Sequence, residues 1–595
     1  MSPPRSLLLG LGLLACSAGA GCAQENVGAS AELNLNGYWA AGAGTFRVPA
    51  GAPSMSALEL RRTITVPESW ANDASIRLRA EASGWRMTVS VNGVEAGSDV
   101  GGLWASSVDL TGRLLSGENA LIVRFDPPTA QNVRRDFPST PVAAWTSGVP
   151  RPDQVWVAGE LSLQFDGTHR VDDIDVRLDG QELVARVRTS GAAGSVAQFG
   201  VVRDGAVVSE LPDAKIQPDG TAESRSRWAG PVWQVGGSDE PSLQYLTVRV
   251  GKASLRQRRF GARTVALEGD HVLINGAPVY LAGQRYAQGG EDPRERFARF
   301  RRWMLRTGTN AVELHGAYLD PRIFDAADEL GLPLIITPRC EGQALLDGPP
   351  TETPARRSFL DAGDRRIAEV ASSHPSTTLW PLEEMGSTRV SPAFAVIDGA
   401  VITSERHSGM EEKLFPDFVA EKRVPDFINE LPSWPLEPVA GVSLGARLAP
   451  LVGMHVPVGI GAVFPELGVL GDPRRGSLPA VQDYASELHA SLAAAGVPPL
   501  GPGVRRGTST LVVRALRGET PVAGVPVTLR APRQALVGGF TDSTGKTTIT
   551  LDYAGAAEIG VLGTDIRLGV TLTPGVYRDG RWLPNVTAVD VPGVP

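Results

Sequence analysis

The chain has 595 residues, too many for a single hydrophobic core, and this length indicates about three to five domains. Its 57 basic and 65 acidic side chains give a formal net charge of −8, which excludes the concentrated basic surface that nucleic-acid binding requires. The 68 glycines and 46 prolines favour many turns and short strands over long helices.

The amino terminus has the pattern of an export signal. Arg5 supplies a positive charge, Leu7–Leu14 an apolar stretch, and Ala18–Ala20 a cleavage site of small residues. Two alternatives remain open, a cleaved signal and a lipoprotein, because Leu13–Cys16 resembles the lipobox whose cysteine becomes a lipid anchor. Cys16 is the preferred anchor and Cys22 a second candidate. The expected location is outside the bacterial cytoplasm, either bound to the membrane or free in the periplasm or medium.

The cysteine and histidine content gives no support for a metal site. Two of the three cysteines lie in the signal region, and Cys340 alone is left for the mature protein, which excludes a disulfide framework and a cysteine zinc site. The seven histidines are scattered without an HExxH pair. We expect neither a metal nor a cofactor.

The next part of the chain is typical of a β-sandwich. Leu60–Val66, Ile76–Ala80 and Met87–Val91 alternate or are rich in β-formers, with turn residues between them. Asn92-Gly93 supplies the two positive-φ positions of a type I′ hairpin. From about residue 169, strands at Leu183–Val187, Phe199–Val202 and Leu243–Val250 predict a second sandwich of immunoglobulin-like size.

The pattern then changes to alternating strands and helices, which predicts a parallel α/β arrangement, a (β/α) barrel being one solution. A hairpin is expected around Asn275-Gly276. The predicted helices are Arg294–Arg306, Pro321–Leu330 and Ala355–Ala371, and the predicted strands are Ala311–Leu314, Leu334–Thr337 and Thr378–Leu382.

The last part of the chain is rich in β-formers again. Ser509–Ala515, Val525–Leu529 and Thr547–Asp552 predict the strands of a final sandwich. Pro521–Leu529 followed by Thr541–Gly545 is similar to immunoglobulin-like repeats of bacterial surface proteins, which implies a spacer or adhesion module.

The order sandwich, sandwich, barrel resembles glycoside hydrolase family 2, the group of β-galactosidases, β-glucuronidases and β-mannosidases. The order and spacing of many strings carry the resemblance, over roughly residues 33–470. These strings are Asn36–Trp39, Val66-Pro67 with Trp70, Val91–Gly93, Asp109–Thr111, Phe260–Arg263, Ile274–Gly276, Leu281–Gly283, Thr309–Val312, Asp328–Leu332 and Ser373–Ser376 before Trp380.

The resemblance implies a multidomain β and α/β fold: an amino-terminal jelly-roll sugar-binding sandwich, an immunoglobulin-like sandwich, a (β/α)8-type barrel and a carboxy-terminal immunoglobulin-like sandwich. The expected domains are 1–24 (signal or lipoprotein segment), 32–166 (jelly roll), 167–263 (immunoglobulin-like), 264–502 (barrel) and 503–595 (final sandwich). The implied partner is a carbohydrate. The oligomeric state stays open.

A retaining glycosidase needs two carboxyl groups about 5–5.5 Å apart, at the carboxyl ends of barrel strands. Glu430 is the candidate nucleophile, because in the family a proline five residues before a strand-ending glutamate marks that residue, and Pro425 stands at this spacing. An ordinary solvent-facing glutamate is the competing interpretation.

The acid/base position departs from the family. The family's fourth strand carries its glutamate five residues after a tryptophan, and counting from Trp380 gives Met385, which transfers no proton. Either Glu384 has taken the role or the acid/base is absent. A shift by one residue turns a strand side chain to the opposite face, so this substitution requires a local bulge.

Further departures lie nearby. Glu313 and Gly316 stand where the family has arginine and histidine, and the interval from Met385 to Glu430 is about half the usual length. The fifth and sixth barrel strands are therefore expected to be compressed or partly missing, with Ala400–Ser404 supplying one of them. The resemblance implies substrate contacts by Trp380, His315, Asn429 and Trp434.

Three functions remain open on the sequence. The first is a retaining β-glycosidase with Glu430 as nucleophile and Glu384 as acid/base. The second is a catalytically degenerate carbohydrate-binding or scaffold lipoprotein at the cell surface. The third is an adhesin-like structural protein. The retained scaffold places the enzyme first, and the departures at the site favour the second.

Overall fold

A computed structural model describes residues 30–49, 57–73, 75–81, 85–100, 105–127, 129–136, 155, 157, 159–167, 169–237, 242–251, 254–268, 271–279, 281–286, 292–315, 321–337, 370–371, 374–383, 401–407, 427–431, 458–460, 486, 489–490, 492–494, 497, 500–501 and 504–595. These residues are mostly β-strand. The helices with defined bounds are α1 (Glu68–Asp73), α2 (Ala130–Asp136), α3 (Pro293–Thr307) and α4 (Pro321–Leu330).

The first strands form the predicted amino-terminal sandwich. Alternating burial along β4, with every second residue from Leu58 to Val66 buried, shows why one face turns to the core. Asn92 and Gly93 have φ values of 51° and 82°, which confirms the predicted hairpin turn. The strands are β1 (Ala31–Asn34), β2 (Gly37–Ala41), β3 (Gly44–Val48), β4 (Leu58–Val66), β5 (Ser75–Ala80), β6 (Arg86–Val91), β7 (Val94–Val100), β8 (Ser106–Asp109), β9 (Gly117–Asp126) and β10 (Leu161–Asp166).

The second sandwich has a three-stranded sheet, β11-β12-β15, and a four-stranded sheet, β14-β13-β16-β17. Val187 from one sheet and Phe199 and Leu246 from the other belong to one apolar core, so the two sheets pack face to face. The strands are β11 (Arg170–Asp179), β12 (Glu182–Ser190), β13 (Val196–Arg203), β14 (Ala206–Lys215), β15 (Thr221–Arg227), β16 (Leu243–Val250) and β17 (Ser254–Gly261).

A small antiparallel sheet leads into a set of parallel strands. Asn275 and Gly276, both with positive φ, form the predicted turn of this sheet. Its strands are β18 (Val265–Glu268), β19 (His271–Ile274) and β20 (Ala277–Pro278). The parallel strands are β21 (Ala282–Tyr286), β22 (Ala311–His315), β23 (Leu334–Thr337), β24 (Thr377–Glu383), β25 (Val401–His407), β26 (Phe427–Leu431) and β27 (Val458–Ile460).

Four of the carboxy-terminal strands join a sheet of the first sandwich, and the carboxy-terminal residues also form an apolar core of their own. β1 pairs in parallel with β32, so that one eight-stranded sheet runs in the order β35-β34-β31-β32-β1-β10-β5-β8. The strands are β28 (Arg505–Arg506), β29 (Ser509–Arg517), β30 (Thr520–Pro521), β31 (Pro526–Arg530), β32 (Leu536–Phe540), β33 (Lys546–Leu551), β34 (Gly555–Val561), β35 (Arg567–Leu572), β36 (Val576–Arg578), β37 (Arg581–Leu583) and β38 (Val586–Val591).

Polar contacts hold this junction of the first and last parts of the chain. The side-chain amide of Asn34 donates to the carbonyls of Gly538 and Thr548, both at 2.9 Å. A carboxylate oxygen of Asp542 accepts from the backbone N–H of Tyr38 at 3.0 Å. Gly37, at φ 103°, allows this approach, because a Cβ there would lie 2.5 Å from the same oxygen. Residues 504–595 are therefore joined to the first sandwich by strand pairing and by side-chain hydrogen bonds.

Candidate active site

The seven parallel strands β21 to β27 form a closed barrel, in which β21 pairs with both β22 and β27. Within the described part of the chain this is one strand fewer than the eight of the implied barrel. Between β24 and β27 the described strands are β25 and β26, and the predicted compression between Met385 and Glu430 stays a prediction, because most of that interval lies outside the described residues.

The barrel strands alternate between two layers. Ala311 and Ile335 pack with Val272 and Ile274 of the β18–β20 sheet, whereas the residues on either side of them pack outward. We call register positions shared with Ala311 and Ile335 the inner layer. The other positions form the helix layer, whose buried residues Val312, Leu314, Leu334 and Ile336 lie in one cluster with Phe297, Phe300 and Phe324 of the two helices.

Local sequence signals explain where helix α3 begins and ends. Asp292 caps α3 by accepting from the backbone N–H of Arg294 at 2.8 Å, Pro293 fits the first turn, and Gly308 ends the helix with φ 74°. The predicted bounds of α3 are confirmed within one residue at each end. The apolar faces of α3 and α4 pack against the helix-layer residues of β22 and β23 and hold those two strands in place.

The register gives positions to several of the predicted site residues. His315, at the carboxyl end of β22, pairs with Thr337 of β23, and Asn429 of β26 pairs with His407 of β25. Trp380 of β24 pairs with Ile402 of β25. Glu384 and Trp434 lie outside the described residues, as does Cys16. The roles of all six remain predictions.

Glu430 occupies a special position in β26. Asn429 pairs with Gly459 of β27 and Leu431 pairs with Ile460, so that the register shifts between them and Glu430 has no partner on β27. Such a bulge interrupts the strict alternation of a strand, and bulges are frequent at barrel rims next to active sites. The candidate nucleophile is therefore at the barrel rim, on a strand that ends one residue later.

Two further glutamates are register partners on neighbouring barrel strands. Glu383, the last residue of β24, pairs with Glu405 on β25. Glu405 had no place among the residues selected from the sequence, because its strand was predicted only as far as Ser404. Extending the predicted strand by one residue would have included it.

Two acidic side chains of α4 and a histidine just before β24 lie close enough together to form a metal site, but each of the two carboxylates already accepts hydrogen bonds from protein groups. Asp325, Asp328 and His374 bring their ligand atoms together. The Asp328 carboxylate contacts His374 Nδ1 at 2.7 Å and accepts from the backbone N–H of Ser376 at 3.0 Å. Asp325 accepts from Arg259 at 2.7 Å. These contacts fix the approach to β24.

A buried cluster next to this group joins three parts of the molecule. Glu329 on α4 accepts from Arg259 of β17 at 2.9 Å, from Arg294 of α3 at 3.1 Å and from the hydroxyl of Tyr577 at 2.5 Å. Burial disfavours the charged carboxyl, but the guanidinium groups of Arg294 and Arg259 outweigh burial and hold the pKa of Glu329 below its ordinary value. We call these four side chains the Glu329 cluster.

Comparisons with known proteins give one curated relative and many similar structures. No family model matches the chain. A curated protein named beta-galactosidase, from Arthrobacter sp. (strain B7), is 27% identical over 350 residues, which cover 56% of this chain and 32% of that protein. The chain therefore spans about a third of the length of this relative.

Among the described residues, no helix is both long and apolar enough to cross a membrane.

Several of the similar structures are beta-glucuronidases. That of Bifidobacterium dentium superposes with a TM-score of 0.57 at 17% identity and covers 79% of this chain and 90% of its own. Those of Lactobacillus rhamnosus and Ruminococcus gnavus give TM-scores of 0.52 and 0.54, with 73% of this chain covered in each case. Together with the curated relative, these matches confirm the resemblance inferred from the sequence: the chain is similar to glycoside hydrolase family 2 proteins, and it has their multi-sheet, mostly β fold.

Proposed function

We propose that this protein is a glycoside hydrolase that cleaves β-linked glycans with retention of configuration. The observation that carries the proposal is the position of Glu430, at an unpaired bulge on the rim of a closed parallel barrel. In such barrels the loops at the carboxyl ends of the strands form the cleft, and a carboxylate there is placed to act on a bound ligand. The fold of the similar structures supports the same function.

The chemistry needs only carboxyl groups of this chain. The Glu430 carboxylate attacks the anomeric carbon while a second carboxyl group protonates the departing glycosidic oxygen, and a glycosyl ester on Glu430 results. Water then attacks the same carbon, the second group takes the proton of that water, and Glu430 is released. Each displacement inverts the anomeric centre, so that the product retains the configuration of the substrate.

The site of action follows from the amino terminus. We propose that the chain is exported, with Cys16 as a lipid anchor or with the segment up to Ala20 removed, and that it meets its glycan outside the cytoplasm. The named activities of the similar proteins make β-galactosides and β-glucuronides the first substrates to test.

The purified full chain is expected to release the aglycone from at least one aryl β-glycoside in a panel of galactoside, glucuronide, glucoside and mannoside. NMR of the early product should show the β-anomer before mutarotation. The matched control is the same panel in the α-configuration, which should stay intact. Early release of the α-anomer would contradict retention, and no hydrolysis of any β-glycoside would contradict the enzyme proposal.

A second function is favoured by one specific feature, Met385 at the acid/base position of the family. Here the barrel binds a carbohydrate without cleaving it. Calorimetric binding of a glycan that the same protein leaves intact over days would favour this function over hydrolysis.

A further inference from the structure

The turn that leads into β24 is buried in the protein. The backbone N–H of Thr377 donates to the carbonyl of His374 at 3.1 Å, and Pro375 stands between them. Ser376, Thr377 and Thr378 are all 0% exposed. A buried turn is uncommon, because its backbone polar groups cannot reach water and must find their partners inside the protein.

The partner of its carbonyl groups is Arg263, in the connection between β17 and β18. Arg263 donates to the carbonyls of Pro375 and Thr377 and, at 3.3 Å, to that of His374. The residue is only 7% exposed. Burial lowers the pKa of Arg263 to about 10, and the Asp328 carboxylate, which accepts from an N–H group of the same turn, opposes this shift. At neutral pH the turn therefore lies between a charged guanidinium on its carbonyl side and a carboxylate on its N–H side.

Strand β24 begins with an extra residue at this turn. Leu334 of β23 pairs with Thr377, but Ile335 pairs with Leu379, so that β24 carries one more residue, Thr378, between the two pairs. Such an extra residue is a β-bulge. The carbonyl just before it, that of Thr377, is one of the three that accept from the buried guanidinium. The bulge and the buried charge therefore coincide.

The bulge determines the alignment of the rest of β24. After it, β24 pairs with β25 residue by residue from Leu379–Val401 to Glu383–Glu405. Without the extra residue, the next regular pair would join Ile335 to Thr378, and every later residue of β24 would move by one position. Because side-chain direction repeats every two residues, a slip by one turns each side chain of a strand to the opposite face of the sheet.

We propose that Arg263 is a positioning residue that fixes the register of β24 against β23. It holds the carbonyl of Thr377 in the bulged position and so prevents the slip to regular pairing. Buried polar groups fix the register in other folds, at a cost in stability. The effect on catalysis rests on the proposed glycosidase function, because β24 lies two strands from β26, which carries Glu430. The register of the strand does not rest on that function.

Arg62 is a matched control for Arg263. It is 8% exposed, and burial lowers the pKa of its guanidinium to about 10 as well. It donates to three backbone carbonyls, those of Leu35, Asn36 and Phe540, at the junction of the first and last parts of the chain and outside the barrel strands. Arg263→Met and Arg62→Met should therefore both lower the melting temperature, and only Arg263→Met should change β24.

The test measures register and activity in the full chain. The crystal structure of R263M is expected to show Ile335 paired with Thr378, whereas R62M keeps the pairing with Leu379. At a temperature well below both melting transitions, R263M should lose about 10²-fold in kcat/KM on the aryl β-glycoside that the wild type prefers, and R62M should stay within about threefold. Arg263→Lys keeps the charge without the planar fork of donors, and it replaces R263M in both measurements if that variant does not fold.

Two results would overturn the proposal. Native pairing of Ile335 with Leu379 in the Arg263 variant would show that the bulge does not depend on the guanidinium. An equal loss of activity in R62M and R263M would show that the loss follows from general destabilisation. An inactive wild type would instead contradict the proposed function, and the crystallographic register would then decide the role of Arg263 alone.

Discussion

Replacing Glu329 by alanine is expected to lower the free energy of unfolding by about 3–5 kcal/mol, because two buried guanidinium groups and one buried hydroxyl then lose their shared acceptor. The side chain of Glu329 is only 1% exposed, and those of Arg259 and Arg294 are 11% and 10% exposed. Water cannot replace the lost carboxylate at such positions. Urea unfolding followed by tryptophan fluorescence measures the change.

The control for this prediction is Glu519→Ala, in the exposed turn between β29 and β30, which should change stability by no more than about 0.5 kcal/mol. Tyr577→Phe removes only the hydroxyl from the cluster and should cost about 1–3 kcal/mol. Equal stability of Glu329→Ala and the wild type would contradict the account, since it would mean that the Glu329 cluster does not join the barrel helices to the last part of the chain.

Replacing Glu430 by glutamine is expected to lower kcat by at least about 10³-fold, because the amide cannot form the glycosyl ester. The rate on the best substrate of the panel measures the loss. Glu182→Gln, a surface substitution in the second sandwich with the side chain 56% exposed, should keep full activity. A Glu430→Gln protein that hydrolyses the substrate at the wild-type rate would remove Glu430 from the mechanism.

The strands and helices of this fold are largely readable from the sequence, because local rules determine them. The alternating burial of β4 and the two Asn-Gly turns follow from periodicity and backbone preference. Helix α4 begins and ends at the predicted residues, Pro321 and Leu330, where its apolar spacing and the following glycine place it. Each of these features depends on residues close together in the chain.

The junctions between the parts of the chain could not be predicted in the same way. Asn34 and Gly538 are 504 residues apart, and the pairing of β1 with β32 leaves no periodic trace in either segment. The Glu329 cluster joins Arg259, Glu329 and Tyr577 from three separate regions, and each residue taken alone resembles a surface charge or a core aromatic. Long-range partners of this kind emerge only when the strands are assembled.

The candidate site lies between these two cases. The spacing of Pro425 and Glu430 singled out the candidate nucleophile, but the bulge at Glu430 depends on the pairing with β27 and cannot be read from the sequence. The pairing of Glu383 with Glu405 likewise depends on the alignment of β24 with β25, which no local sequence pattern determines.

The most direct test of the central claim is covalent trapping of the nucleophile. The wild-type chain is incubated with 2-deoxy-2-fluoro glycosyl fluorides of galactose, glucuronic acid, glucose and mannose, which slow the second step of a retaining enzyme more than the first. Mass spectrometry of the digested protein should then show one fluoroglycosyl group on the peptide that contains Glu430. Stoichiometric labelling of another carboxylate, or hydrolysis of a β-glycoside with inversion and no label, would contradict the account.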